Sequence, residues 1–211
     1  MPRYLLLLEA DSGPSAIRTV SRLAGLNVAS TADLAGADAA TALAGSNGLL
    51  LHDLDVAVVT ATEEQAGALQ ADVSGAGPIM AVEPVRTVRA ITGGEPAPPA
   101  RGELTWGLRA IGAGESPAGG QGIRVAVLDT GMSPDHPDFT DRRVVTNSFV
   151  SGESAEDGNG HGTHVIGTAC GPRKPATGPG YGVAYDAEIY AGKVLDNSGT
   201  GAASSNVWEN S

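Results

Sequence analysis

The chain has 211 residues, of which 41% are hydrophobic, and its formal net charge at pH 7 is −11. This length allows one large domain or two smaller ones, each with a buried core. The acidic balance argues against a nucleic-acid-binding surface, because such a surface needs clustered Lys and Arg side chains to neutralise phosphates. The sequence has a single cysteine, Cys170, so an internal disulfide is excluded.

The amino terminus lacks the features of an export signal. Its apolar run, residues 4–8, is too short for the core of a signal peptide and is followed by the acidic residues Glu9 and Asp11. No apolar run in the sequence is long enough to cross a membrane. We therefore expect a cytoplasmic location and no membrane partner by default, with export left open.

Residues 1–91 alternate between strand-like and helix-like patterns. The strand-like segments are residues 4–9, 26–31, 48–62 and 78–91, and the helix-like segments are residues 13–25 and 63–73. The segment at 48–62 fits either a pair of strands or one long strand. This β-α-β-β-α-β order is typical of a small ferredoxin-like α+β domain.

A linker and a second domain follow. Residues 92–103 are rich in Pro and Gly, which predicts an extended linker. In residues 104–211, helix starts near residues 160 and 203 alternate with strands predicted at residues 122–131, 142–150 and 187–195. The alternation predicts an open parallel α/β sheet, in which sites form at the carboxyl ends of strands. The first of these strands is continuously apolar, so we expect it to be buried on both faces.

Asp129 lies at the end of that first strand and is the first candidate for chemistry. A carboxylate there fits four roles: acceptor of backbone N–H groups in the next turn, orienter of a histidine, half of an aspartic dyad, or metal ligand. The tripeptide Asp-Thr-Gly also occurs in aspartic proteases, but their chemistry needs two such carboxylates and the sequence has one. The dyad is therefore disfavoured, and the other three roles stay open.

His161 is the second candidate, in the stretch "DGNGHGTHVIGTAC". Gly160 and Gly162 flank it and permit another backbone segment to approach closely. A histidine at a helix start with a carboxylate nearby suits a general base. His164 lies one turn further on, but the pair lacks the Glu of the paired-histidine zinc hydrolases and any third ligand. We therefore disfavour a metal site and expect His164 to be structural, with a hydrogen bond to the backbone.

Three segments together resemble the subtilases, the family of subtilisin-like serine peptidases. They are "IRVAVLDTGMSPDHPDF", "NGHGTHVIGTACG" and "YGVAYDAEIYAGKVLDNSGTGAASSN", and they follow one another in the family's order. The resemblance covers residues 101–208. It implies that Asp129 and His161 are two members of a Ser-His-Asp triad. It also implies that Gly199, Thr200 and Gly201 form a strand edge that binds peptide or protein substrates by backbone pairing.

The resemblance extends more loosely to residues 1–91, which are similar to the subtilase pro-region in size, pattern and position. It implies an intramolecular chaperone and inhibitor that packs on the peptidase domain. A parallel sheet makes many non-local contacts and folds slowly, so a preformed small domain can template it. The tail at residues 88–91 and the linker beyond it are expected to lie in the substrate cleft.

The third member of the triad is not found in the sequence. The subtilase nucleophile lies in a Gly-Thr-Ser-Met-Ala-like segment, and no serine here has that context, Ser204 and Ser205 included. The family's oxyanion asparagine is not identified either, since Asn206 and Asn210 are in the wrong place. We therefore expect a truncated endopeptidase that is inactive alone, with an incomplete sheet whose last strand, residues 187–195, has an uncovered edge. The alternative is a non-catalytic pseudoenzyme or a pro-region-type protease inhibitor or folding chaperone.

Calcium is the cofactor that the resemblance implies. Asp138 matches a position that often ligates calcium in subtilases. The loop that would help to complete the site, residues 171–182, contains Arg173 and Lys174 but no Asp or Asn. Asp138 is therefore expected either to ligate calcium or to cap a turn.

Overall fold

A computed structural model of the chain describes residues 1–33, 45–73, 75, 77–91 and 103–202. The chain divides into two units, Met1–Arg86 and Thr87–Asn210. Most of the predicted linker, residues 92–102, and the helix predicted to start near residue 203 lie outside the described residues. Among the helices that are described, none has the length and apolar content needed to cross a membrane.

The first unit is built on one sheet with helices α1 and α2. Its strands are β1 (Arg3–Leu8), β2 (Val28–Ser30), β3 (Gly48–Leu51), β4 (Val56–Thr60) and β5 (Ile79–Pro84), and the helices are α1 (Gly13–Ala24) and α2 (Glu63–Val73). The strand order is β2-β3-β4-β1-β5, in which β2 and β3 are parallel and the other pairs are antiparallel. Apolar side chains of strands and helices meet in one core, which includes Leu6, Val20, Leu50 and Leu69.

Local chemistry explains where these elements begin and end. Pro14 lies in the first turn of α1, where its missing N–H leaves no helical hydrogen bond unmade, and Gly25 ends the helix in the left-handed conformation. Residues 48–62 form a strand pair, because a 3₁₀ turn at His52–Leu54 reverses the chain between β3 and β4. Because residues 48–62 supply two strands, the sheet has five strands rather than the four of the ferredoxin-like pattern, and that assignment stays a prediction.

The second unit contains a parallel sheet and a separate two-stranded ladder. Its elements are β6 (Thr87–Arg89), α3 (Trp106–Ala110), β7 (Arg124–Asp129), β8 (Val144–Ser148), α4 (His161–Cys170), β9 (Glu188–Lys193) and β10 (Thr200–Ala202). β9 lies between β7 and β8 and is parallel to both, whereas β6 pairs with β10 antiparallel. The α/β class with a parallel sheet, predicted from the sequence, is therefore present.

Helix α4 covers one face of the parallel sheet. Ile166 and Cys170 of the helix are fully buried and belong to one core with Ile189 and Ala191 of β9. Burying an aliphatic side chain of this size stabilises the fold by about 1.5–3 kcal/mol. Burial also raises the pKa of the Cys170 thiol, although the nearby Arg142 acts in the opposite direction. Cys170 is therefore a packing residue of the helix.

Two expectations from the sequence about this parallel sheet are not met in the structure. The expected burial of residues 122–131 on both faces is wrong, because the side chains of β7 alternate in burial and Leu128 is 65% exposed. Among the described residues, α4 covers one face of β7 and leaves Leu128 on the other. The expected uncovered edge at residues 187–195 is also wrong, since β9 is the central strand and β7 and β8 form the edges of this sheet.

Candidate active site

Asp129 and His161 come from different elements and meet at the carboxyl end of β7. The strand ends at Asp129, and α4 begins at His161. The His161 Nδ1 atom lies 2.8 Å from Asp129 Oδ1 and 2.9 Å from Asp129 Oδ2. Because a carboxylate can only accept a hydrogen bond, Nδ1 carries the proton and Nε2 is left as the basic nitrogen. The pair is therefore arranged as an orienting carboxylate and a base.

The turn after β7 fixes the other side of Asp129. The Thr130 N–H donates to Asp129 Oδ1 at 2.7 Å. The Asp129 carbonyl accepts the N–H groups of Val194 and Leu195 at 2.8 and 3.0 Å. Two of the roles left open by the sequence thus occur together, since Asp129 accepts a backbone N–H and orients a histidine. Within the part of the chain that is described, no three His, Cys, Asp or Glu side chains are grouped so that they could hold a metal ion.

Geometry requires the two glycines that flank His161. Gly160 has a φ of 96°, a left-handed conformation that favours glycine. A Cβ atom on Gly162 would lie 2.3 Å from the Gly131 carbonyl oxygen, so a side chain there would push α4 away from the turn after β7. Gly162 therefore permits the close backbone approach that was predicted from the sequence, whereas Gly160 provides the positive φ before the helix.

The three residues predicted to bind substrate lie at the start of β10 and just before it. β10, which begins at Thr200, pairs antiparallel with β6 so that Gly201 lies opposite Val88. The pairing continues at Gly199, whose carbonyl accepts the Ala90 N–H at 2.8 Å. The edge of β10 is thus occupied by an extended segment of the same chain.

Comparison with known proteins places this site in a family. The profile of the subtilase family, Peptidase_S8, matches residues 120–208, which include both members of the Asp129–His161 pair. Residues 120–208 are therefore a subtilase-family segment.

Several subtilases are similar to this chain over part of their length. A subtilisin-like serine protease of Cochliobolus lunatus is 45% identical over 86 residues, which are 41% of this chain and 16% of the relative. Subtilisin Savinase of Lederbergia lenta is 48% identical over 109 residues, covering 48% of this chain and 38% of the relative. Among solved structures, sphericase is 40% identical over 48% of this chain and 36% of its own, with a TM-score of 0.41. The chain thus spans less than two fifths of the length of each of these relatives.

Asp157 belongs to the candidate site but is not among the residues predicted from the sequence. Its carboxylate accepts hydrogen bonds from the start of α4 and from the Thr130 hydroxyl, which is 2.7 Å away. Burial by itself would raise the pKa of Asp157, but hydrogen bonds from Thr163, Gly160 and Thr130 outweigh it and lower the pKa to about 2. The available signal in the sequence is an Asp just before a helix start, which is a common capping pattern.

Lys193, at the end of β9, is a second residue that the sequence analysis misses. Its side chain is fully buried, and its Nζ atom donates to the Thr130 carbonyl at 2.7 Å and to Asn197 Oδ1 at 2.8 Å. The same atom lies 3.2 Å from Glu153 Oε2. A buried ammonium group is stable only when it is paired and hydrogen-bonded. Lys193 therefore joins the turn after Asp129 to the loop after β8 and the loop before β10.

His164 does not make the backbone hydrogen bond that the sequence analysis predicts. Its ring is exposed, and the described residues offer it no hydrogen-bond partner; its backbone N–H and carbonyl are engaged instead. The residue lines a cleft of about 810 Å³ together with Trp106 and His136. His164 is thus next to His161 in the sequence but outside its hydrogen bonds.

The surroundings of Asp138 do not fit the calcium site that the resemblance implies. Asp138 Oδ2 accepts the Tyr181 hydroxyl at 2.8 Å, and Oδ1 accepts the Ala176 N–H at 3.2 Å. Burial, together with the hydrogen bond to Asp138 and its negative charge, raises the pKa of Tyr181 well above its usual value, so the hydroxyl stays a donor. Calcium takes about six to eight oxygen ligands, whereas both oxygens of Asp138 face donors. Asp138 therefore acts as an anchor for the loop at residues 171–182.

Proposed function

We propose that residues 104–211 carry the Asp and the His of a subtilisin-like serine endopeptidase site. The observation that carries this proposal is the hydrogen bond between His161 Nδ1 and the Asp129 carboxylate, at 2.8 Å. The names of the similar proteins, which include subtilisin and serine protease, support the same class of reaction.

In this mechanism His161 is the general base. Its Nε2 takes the proton of a serine hydroxyl as that oxygen attacks the peptide carbonyl, and the imidazolium then gives the proton to the leaving amine. Asp129 keeps the ring in the Nδ1–H tautomer and stabilises the imidazolium without becoming protonated itself. The reaction class is acyl transfer to a serine, followed by hydrolysis of the acyl-enzyme.

A peptide or protein substrate is proposed to bind along β10 by strand addition. Residues 87–90 of the chain support this, because they pair with β10 through backbone groups and the Ala90 N–H donates to Gly199. Gly199 and Gly201 have no side chains, so they leave the backbone open to a partner strand. The bound segment must leave before a substrate can bind, which makes residues 87–90 a proposed internal inhibitor.

By itself, the chain is proposed to be inactive as a peptidase. No serine of the sequence lies in a Gly-Thr-Ser-Met-Ala-like segment, so the base has no identified nucleophile to activate. In subtilisin, a member of the same family, loss of the serine lowers turnover by about 2 × 10⁶. A fluorogenic-peptide assay of the purified chain should give no hydrolysis above the buffer rate. Hydrolysis that disappears in His161→Ala would be incompatible with this proposal.

The roles of the pair are tested in a chimera in which residues 120–208 replace the matching part of Subtilisin Savinase. The relative then contributes the remainder of the family's site, including the nucleophile that the resemblance implies. The chimera is expected to hydrolyse peptides, and Asp129→Asn should lower kcat by about 10⁴ because the imidazole then takes the wrong tautomer. The exposed Asp141→Asn is the matched control, with kcat expected within a few-fold of the parent. Equal kcat values for the two variants would contradict the role of Asp129 as the residue that orients the His161 ring.

A second candidate function is inhibition of an intact subtilase by the amino-terminal residues. The pairing of β6 with β10 favours it, because the same segment can bind the equivalent edge of another subtilase. Titration of the chain against Subtilisin Savinase should then lower peptide hydrolysis. Ala90→Pro, which removes the N–H that donates to Gly199, should weaken inhibition at least tenfold, whereas Ala90→Ser keeps the donor. Equal inhibition by both variants would exclude this mode of binding.

We infer export rather than the cytoplasmic location expected from the amino terminus. A relative from Metarhizium anisopliae is named cuticle-degrading protease, and cuticle is a substrate met outside the cell. The protein should be recovered from the culture medium of the cells that produce it, and recovery from the cytoplasm alone would contradict this inference.

A further inference from the structure

Two short segments must be held together for the Asp129–His161 hydrogen bond to form. One is the turn after β7, which begins with Thr130, and the other is the start of α4. The two hydrogen-bonded residues are 32 positions apart in the sequence, so their geometry depends on contacts between these segments.

Asp157 binds the start of α4 through both of its carboxylate oxygens. Oδ2 accepts the Thr163 N–H at 2.8 Å and the Thr163 hydroxyl at 2.6 Å. Oδ1 accepts the N–H groups of Asn159 and Gly160 at 3.0 and 2.8 Å. The first N–H groups of a helix have no partner within the helix, and a negative charge at this end is favoured by the helix dipole. Asp157 therefore fixes the first turn of the helix that begins at His161.

Asp157 also binds the turn after β7, through Thr130. The Thr130 hydroxyl donates to Asp157 Oδ1 at 2.7 Å and accepts the Gly162 N–H at 2.8 Å. The N–H of the same residue donates to Asp129 Oδ1 at 2.7 Å. Thr130 is fully buried, so water cannot take over these hydrogen bonds. Thr130 thus connects the carboxylate of Asp157 to the carboxylate of Asp129.

We propose that Asp157 is a positioning residue that acts through Thr130 to hold the Asp129 carboxylate against the His161 ring. This role rests on the proposed function of the pair. The position requires a carboxylate rather than an amide, because three donors face Oδ1 and two face Oδ2. The NH₂ group of an amide would be turned towards at least two of these donors.

The same carboxylate gives a support that does not change with pH under ordinary conditions. Its pKa of about 2 keeps Asp157 ionised above pH 4. Hydrogen bonds to an ionised acceptor are about twice as strong as those between neutral groups. The link from Asp157 to Thr130 therefore stays intact at every pH above 4.

The test compares two variants of the full chain, each of which removes one threonine hydroxyl that donates to Asp157. Thr130→Val breaks the link to the turn after β7, whereas Thr163→Val breaks a bond on the helix side and keeps the link. The readout is the low-field proton NMR resonance of the His161 Nδ1–H, identified by its loss in His161→Ala. We expect this proton to exchange with water at least tenfold faster in Thr130→Val, or its resonance to vanish, and to be unchanged in Thr163→Val.

Hydrogen exchange of the α4 amides separates positioning from a general loss of fold. Thr130→Val should keep the protection of these amides, and Thr130→Ser, which keeps the hydroxyl, should restore the Nδ1–H resonance. An unchanged resonance in folded Thr130→Val, or its loss together with the protection of α4, would overturn the proposal. If Thr130→Val does not fold, Asp157→Asn compared with the exposed control Asp141→Asn gives the same decision. Because the readout is a hydrogen bond and not turnover, the positioning role of Asp157 can be disproved while the proposed peptidase function holds.

Discussion

Three aspartates have different roles around the candidate site, and the hydrogen-bond donors that each one meets decide its role. Asp129 accepts from His161 and from the Thr130 N–H. Asp157 accepts from five donors of two segments, the turn after β7 and the start of α4, and Asp138 accepts from a tyrosine hydroxyl and an N–H of the loop at 171–182. A carboxylate that is surrounded by fixed donors is held in one orientation. The chemistry of this site therefore depends on the hydrogen-bond donors around each carboxylate as much as on the carboxylates themselves.

Asp157→Asn is expected to destabilise the fold at pH 7 and to have a much smaller effect at pH 2. The pKa of Asp157 in the folded chain, about 2, lies below its usual value of 3.8. Ionisation therefore favours the folded state above pH 4, and this stabilisation is lost as the pH falls through 2. At about 1.4 kcal/mol for each pKa unit, the stabilisation is about 2 kcal/mol at pH 7. Urea unfolding at both pH values measures it, with Asp141→Asn as the control; an equal loss at both would argue against the ionised carboxylate.

Asp129 and His161 could be predicted from the sequence, whereas the contacts of Asp157 and Lys193 with Thr130 could not. The first two lie at the ends of elements whose patterns are local, and the resemblance to subtilases names them. The hydrogen bonds of the other two depend on Thr130, which is 27 residues from Asp157 and 63 from Lys193. Separations of 27 and 63 residues are longer than any local sequence pattern of a helix or a strand.

At the scale of elements, the loop at residues 171–182 is fixed by protein contacts. The Tyr181 hydroxyl binds Asp138, and Gly180 pairs with Leu104 in a short parallel bridge. Arg173 donates to the carbonyls of residues 113 and 114 at 3.1 and 2.9 Å. These contacts lie where the resemblance implies a calcium site, so we expect the loop to be ordered without calcium.

Removal of calcium is therefore expected to leave the stability of the chain unchanged. Thermal unfolding should give the same Tm in EDTA and in millimolar calcium. Tyr181→Phe should lower the free energy of unfolding by about 1 kcal/mol, because it removes a hydrogen bond to the partly buried Asp138 carboxylate. Tyr190→Phe is the control, since that hydroxyl makes only a 3.5 Å contact with Glu188. A Tm that rises by several degrees on addition of calcium would contradict this account of the loop.

The burial of elements was predicted less well than their positions. Residues 122–131, 142–150 and 187–195 all contain the strands predicted there, because apolar runs between turn residues are local signals. Whether a strand is covered on one face or two, and whether it lies at the centre of the sheet, depends on packing partners. The sequence pattern alone therefore did not place β9 between β7 and β8.

At the scale of the whole molecule, the parallel sheet has one covered face and one exposed face among the described residues. Leu128 is 65% exposed, and its side chain lies beside Gly192 on the same face as Phe149. Exposed apolar patches on a sheet favour association with other molecules.

Leu128→Ser is expected to reduce self-association of the chain with little change in its stability. The Leu128 side chain is already exposed, so its replacement removes part of an exposed apolar surface without opening a cavity in the core. Ile111→Ser is the matched control, because Ile111 is 66% exposed but does not lie on the sheet. Sedimentation velocity over a range of concentrations measures the effect. Equal association of the two variants would mean that the sheet face is not the surface involved.

The central claim, that His161 is the base of a serine peptidase site, is tested most directly by one ratio of turnover numbers. In the chimera with Subtilisin Savinase, kcat is measured for His161→Ala and for His164→Ala. If His161 is the base, kcat should fall by about 10⁶ in His161→Ala, as in subtilisin. It should change by less than about tenfold in His164→Ala, because the His164 ring is exposed and makes no hydrogen bond to the described residues. Turnover that survives His161→Ala, or that falls as far in His164→Ala, would contradict the central claim.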